Sequence, residues 1–258
     1  MKKVLFTVLC SCIVSIIVAS EVTTSQRRIL HRKSRPSGGL VEKPYSGKVF
    51  RVQNLQSDYE EVKLDALTTT IRRSVLIPIV CTSSSESGNT DWFALADRLV
   101  AQKDVGAGAL LINDPKLPIE LISPDRRWGI LNIAPLKSDG PSPELFEKRF
   151  TKAYWGIVAR TLGAGMSSFP GCVLVPFSNM KELDAITATQ PCPEPFNKMI
   201  DTGKAYGIGV LTISTYRTAC EQGWAPAPTN DVQKAIWDEV HAIPAKPMKI
   251  EFDPKKGR

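Results

Sequence analysis

The segment SPELFEKRFTKAYWGIVARTLGAG, Ser142 to Gly165, decides the fold. Ser142, followed by Pro143 and Glu144, is a helix start. The hydroxyl accepts from an amide of the first turn, the proline sits where an N–H would go unused, and the carboxylate faces the positive end of the helix dipole. Phe146, Phe150, Ala153, Tyr154, Ile157, Val158, Thr161 and Leu162 then recur at steps of three and four, which predicts one amphipathic helix ending at Gly163-Ala164-Gly165. The following GMSSFPGCVLVPFSNMKELDA is rich in turn residues and becomes helical only near Asn179. Pro191-Cys192-Pro193-Glu194-Pro195 reads as a rigid, non-helical link. Further helices are expected at Asn197 to Tyr206, Tyr216 to Glu221 and Asn230 to His241, before an extended strap bearing Pro244, Pro247 and Pro254.

Upstream, Ser74 to Cys81 is apolar and rich in branched residues, which predicts a buried strand, with Pro78 marking an edge or a bulge. Asp91 can cap a helix whose apolar face is Phe93, Leu95, Ala96, Leu99 and Val100. Ala107 to Ile112 and Trp128 to Ile133 are two more strands. Strand, helix and strand in this order predict an α/β (α+β) fold: a mixed, twisted sheet packed with helices, followed by a mostly helical C-terminal part.

The 258 residues are 43% hydrophobic and 23% charged, an ordinary globular composition that excludes a disordered, collagen-like or disulfide-scaffold chain. Net charge is +7, but seven basic residues stand before Pro36 against Glu21 alone, leaving 26 basic and 25 acidic groups in the rest. So neutral a body offers no electrostatic reason for a nucleic-acid partner. Residues 1–20 read as a secretory signal: Lys2 and Lys3, an apolar stretch from Val4 to Ala19, and small residues before a cut after Ser20. A membrane anchor is the weaker reading, because the run is short and holds Cys10, Ser11, Cys12 and Ser15. Residues 21–48 lack an apolar period and read as a flexible basic tether, and residues 49–258 as the folded domain with its strap. The expected location is secreted or periplasmic, with membrane contact only through the signal or the tether.

Histidine supplies most general bases and zinc ligands, and the chain has only His31 and His241. GMSSFPG is not the G-x-S-x-G nucleophile elbow, and His241 follows Trp237 and Val240 on an amphipathic helix, a poor setting for a Cys-His dyad. No Walker loop, dinucleotide fingerprint or C-x-x-C is present, so no cofactor is expected. Without the signal four cysteines remain, Cys81, Cys172, Cys192 and Cys220, an even number in a chain bound for an oxidising compartment, and three pairings are open.

Residues 142–195 resemble the archaemetzincins, a metzincin-like zinc peptidase family with the pattern H-E-x-x-H-x-x-G-x-x-H-C, four residues, C-x-M, seventeen residues, C-x-x-C. In that pattern two histidines one helical turn apart and a third beyond the glycine bind zinc, the glutamate activates the metal-bound water, and four cysteines hold a second, structural ion. Setting Gly163 on the motif glycine puts Cys172 and Cys192 on two motif cysteines with no gap, and Leu174 where the Met-turn methionine is usual.

The same register puts Gly156, Arg160 and Met166 at the zinc-binding histidines and Ile157 at the catalytic glutamate. Glycine has no ligand atom, arginine is a permanent cation, methionine suits zinc poorly, and isoleucine accepts no proton. Ser167 and Pro195 replace the outer cysteines. The resemblance therefore implies a metzincin-like core with no catalytic residue and no metal ligand. It also implies a Cys172–Cys192 disulfide, which leaves Cys81 with Cys220, and an Arg160 side chain that extends its charge to water. The function it implies is an exported pseudo-peptidase, with a binding or scaffolding role in the cell envelope, whose old cleft holds an extended peptide or an envelope protein. The alternative is an active secreted peptidase with a non-standard metal site.

Overall fold

The structure is a computed structural model that describes residues 37–55, 59–84 and 91–242. The expected signal, the tether up to residue 36 and the C-terminal strap lie outside the described residues. The described residues fall into two compact units, a larger one within Glu42–Ile213 and a smaller one that joins residues 37–41 to residues 214–242.

In chain order the elements are β1 (Leu40–Glu42), β2 (Val49–Leu55), α1 (Glu61–Val75), β3 (Ile79–Ser84), α2 (Trp92–Val100), β4 (Val105–Ile112), β5 (Glu120–Ile122), β6 (Trp128–Asn132), α3 (Pro143–Thr161), α4 (Met180–Ala185), α5 (Glu194–Ala205), β7 (Ile213–Thr215), α6 (Tyr216–Glu221) and α7 (Asp231–His241). A five-stranded sheet runs β3-β2-β4-β6-β5, with β2, β3, β4 and β6 parallel and β5 antiparallel on β6. This is the expected α/β architecture with a mixed sheet.

Parallel strands are joined by helical crossovers that cover both sheet faces, so their central strands read as unbroken apolar runs. β4, VGAGALLI, is buried along its whole length. Its side chains alternate between faces: Ala107, Ala109 and Leu111 join a core with α1 and α3, whereas Leu110 and Ile112 meet Leu95, Ala96 and Leu99 of α2.

Several local readings need correction. The strand expected from Ser74 starts at Ile79, because Ser74 and Val75 close α1, and Leu76 then turns the chain at φ 55°. Pro78 does mark an edge, since β3 is the outermost strand, and its carbonyl accepts the Phe50 N–H at 2.9 Å. In α2, capped by Asp91 through the Phe93 and Ala94 amides, Phe93 is turned outward and Trp92 takes its place in the core. Helix α5 begins inside the expected Pro-rich link, at Glu194, because a proline is tolerated in a first helical turn. The tether is also ordered before Lys48: Leu40–Glu42 is strand β1, and the Tyr45 hydroxyl accepts the Gly209 N–H at 2.6 Å. Backbone pairing of this kind needs no apolar face.

Helix α3 follows its sequence signals closely. The Ser142 hydroxyl accepts from Leu145 N–H at 3.3 Å. At the other end Gly163 takes φ 82° and the chain closes in a Schellman motif, with Gly163 N–H on Arg160 O and Ala164 N–H on Ala159 O at 3.0 and 2.9 Å. Nearly every side chain from Arg149 to Thr161 is buried, so the helix is central rather than amphipathic. Fully buried Arg149 is clasped by Asp139 and Asp184 at 2.6–2.8 Å and ties α3 to the start of the segment before it and to α4.

In the smaller unit β1 pairs with β7, and α6 and α7 share Tyr216, Cys220 and Ile236. Arg217 and Glu239 bridge these two helices at 2.6 Å.

Candidate functional site

The last turn of α3, the edge strand β5 and the loop after Gly163 border a cleft of about 390 Å³. Its walls include Glu120 from β5, Arg160 from α3, and Met166, Pro176 and Phe177 from the loop. Met166 is exposed and also borders two adjoining cavities, one toward Cys192 and Pro195, the other toward Ile122 and Arg126.

Gly156 and Arg160 stand one helical turn apart and so share a face of α3. The Arg160 guanidinium donates to both carboxylate oxygens of Glu120. Both side chains are largely withdrawn from water, at 13% and 15% exposure, so Arg160 does not carry its charge to solvent as expected. A long side chain on the sheet side of α3 meets the one carboxylate that β5 offers and is held there. Gly156 makes this possible: a Cβ at that position would strike the guanidinium and come within 2.8 Å of Glu120 Oε1.

Ile157, at the position of the family's catalytic glutamate, is fully buried and packs on β6 at Gly129. Of the four positions that the resemblance sets on the motif, Arg160 and Met166 line the cleft, Gly156 is buried beneath the Arg160–Glu120 pair, and Ile157 faces the sheet. Zinc does not fit this donor set, which amounts to one cation already paired with a carboxylate, one thioether and a glycine. Among the described residues no three His, Cys, Asp or Glu side chains are grouped to hold a metal ion.

The positions of the implied second site do converge. Cys172 and Cys192 approach to 3.2 Å between sulfurs, and the Ser167 hydroxyl lies 3.9 Å from Cys192 Sγ. No bond joins the two sulfurs in this structure, and Cys81 and Cys220, the other pair, belong to different compact units. Burial pushes the Cys172 thiol up, but hydrogen bonds from the Cys192 and Leu174 amides, the Cys192 thiol and the Ser167 hydroxyl bring it below the usual range. Burial and the bond to Cys172 raise Cys192.

Glu120 was missed from sequence. Its signal is a lone carboxylate inside the apolar run Pro118-Ile119-Glu120-Leu121-Ile122, where a buried charge requires a partner. His241 stands on α7 in the smaller unit, stacked on Trp237 with centroids 4.1 Å apart and Nδ1 2.8 Å from the Trp237 carbonyl, and takes no part in the cleft.

No known family matches the chain by sequence, and no curated protein matches it. Among solved structures it is similar to an archaemetzincin from Methanopyrus kandleri, with 16% identity and a TM-score of 0.49 over 62% of this chain and 98% of that one. It is also similar to a zinc-dependent peptidase from Methanocorpusculum labreanum, with 14% identity and a TM-score of 0.44 over 58% of this chain and 99% of that one.

Proposed function

We propose that this chain is an exported, non-catalytic relative of the archaemetzincins that holds an extended peptide of an envelope protein in the cleft beside β5. The observation that carries the reading is the Arg160–Glu120 ion pair, which fills with a neutralised cation the place where a metal and its water would do the chemistry. A peptidase of this type needs that water as nucleophile and a carboxylate to take its proton, and the corresponding side chains are Gly156, Arg160, Met166 and Ile157.

The edge strand supports the binding role. Ile119 O and Ser123 N–H bond to Asn132 and Trp128 of the β6 side, so by the alternation of an antiparallel ladder Leu121 also faces β6, and the backbone groups of Glu120 and Ile122 point the other way. An extended chain adding there would gain backbone hydrogen bonds and lay alternate side chains into the cleft. Exported protein should begin at Glu21.

The test is isothermal titration of the purified protein with a library of extended decapeptides, alongside elemental analysis. Ile122→Pro removes an outward N–H without touching the β6 ladder and should abolish peptide binding while the protein stays folded. A stoichiometric, chelator-sensitive zinc ion, or peptide cleavage that stops when zinc is removed, would overturn the reading in favour of an active peptidase with unusual ligands.

A further inference from the structure

On the far half of α3 a separate cavity of about 540 Å³ opens between residues 144–152 and residues 184–189. Lys152 lines it and is 93% buried, with 7% of its surface exposed. Its Nζ donates to the Leu183 carbonyl at 2.8 Å. A lysine has up to three N–H donors when charged and two when neutral, so donor capacity remains beyond the bond to Leu183. Asp184, the nearest carboxylate on that wall, already accepts from the Arg149 guanidinium at 2.6 and 2.7 Å. Burial holds the Lys152 ammonium below the usual lysine range; Asp184 opposes this, and the Lys148 and Arg149 charges add to it.

Support of the α4 end does not account for this placement. The Leu183 carbonyl also accepts the Ile186 N–H, and a solvated lysine or arginine would serve as well at a helix C-terminus. What the site adds is an amine kept from water beside an open space with hydroxyls on Thr151, Thr187 and Thr189. The Glu144, Glu147 and Asp184 carboxylates on the same walls repel an anionic ligand and tolerate a neutral one.

We propose that this cavity binds a small uncharged aldehyde or ketone, which Lys152 captures as a reversible imine. The neutral amine attacks the carbonyl carbon, forming the C–N bond. The carbonyl oxygen then leaves as water with the two amine hydrogens, so no oxidant or reductant is consumed. Burial favours the neutral amine this step requires.

The test treats the full-length protein with propanal and cyanoborohydride at neutral pH, so that hydride traps the imine as a propyl-amine, and reads each lysine by peptide mass spectrometry. Lys152 should label severalfold faster than the exposed Lys63 and Lys204, which lie outside the cavity. Its rate should saturate with propanal concentration while theirs stay linear. Lys152→Arg keeps the charge and the bond to Leu183 and should lose this fast site, and Thr187→Phe should slow it by filling the cavity. Labelling of Lys152 no faster than Lys63, or a rate indifferent to Thr187→Phe in a folded variant, would overturn the proposal. Neither readout depends on the peptide cleft.

Discussion

The guanidinium of Arg160 occupies the space in which a side chain on Gly156, one helical turn earlier, would stand. The two residues are therefore one structural choice. The inward arginine uses the space that a Cβ at 156 would take, so a larger residue at 156 forces the guanidinium to shift from its present contact with Glu120. Restoring a histidine at 156 would meet the Arg160 guanidinium, and restoring one at 160 would leave Gly156 with no ligand atom, so neither change alone rebuilds a ligand pair.

Gly156→Ala tests this coupling through its sign. In an open helix the change stabilises by about 1 kcal/mol. Here alanine displaces a largely buried guanidinium from its carboxylate, and overpacking of this kind costs about 1–3 kcal/mol, so net destabilisation is expected. With Arg160→Ala already in place the obstruction is gone, and Gly156→Ala should become stabilising. Urea denaturation of the four proteins of this cycle reads the reversal, and an alanine that is neutral in both backgrounds would refute the coupling.

Acid should reveal the clasp around Arg149. Hydrogen bonds from its guanidinium hold both Asp139 and Asp184 below the ordinary aspartate range. A carboxyl depressed in the folded state contributes stability above its unfolded pKa of about 3.9 and loses it as pH falls through the folded value. Asp184→Asn should therefore cost about 2 kcal/mol at neutral pH, since a fully buried charge loses one of its two partners. The deficit should shrink below about pH 4, and thermal melts between pH 7 and pH 2 measure it.

The Cys172 and Cys192 sulfurs, 3.2 Å apart, need little movement to reach a bond length of about 2.05 Å. Treatment of the reduced protein with diamide, which takes up the two hydrogens as it is reduced to a hydrazine, should link these two and leave Cys81 free. Burial, with Asp65 and Glu61 nearby, pushes the Cys81 thiol up to about 12, which keeps it protonated at neutral pH. Peptide mapping that found Cys172 joined to Cys81 or Cys220 would contradict the packing of this loop.

Helix α3 was legible to the residue because its caps are local. Ser142 and Gly163 act on amides and carbonyls within a few positions, so the nearby sequence carries the whole signal. The same is true of Asp91, Asn179 and Asn230, each of which caps its helix through its own side chain. Helix α1 was not legible. Glu60 makes no capping bond, the run Thr68-Thr69-Thr70 disfavours helix, and the apolar run that begins at Val75 passes from the helix end toward β3 without a break in hydrophobicity. Only burial of Leu64, Thr68, Ile71 and Val75 against the sheet makes that segment helical.

By itself the sequence determined the strands β4 and β6, the helix α2 between β3 and β4, and the limits of α3, whereas β2 and α1 were not read from it. The resemblance, not the spacing alone, led to the expectation that Cys172 and Cys192 come together. Tertiary structure alone decided that Arg160 turns inward to Glu120, forty residues away in the chain, that Ile157 faces the sheet instead of the cleft, and that Lys152 is buried beside a cavity. The physical reason is one of range. Caps and periodicity act within a turn or two, whereas the partner of a buried charge and the space beside it depend on which distant strand or loop packs there.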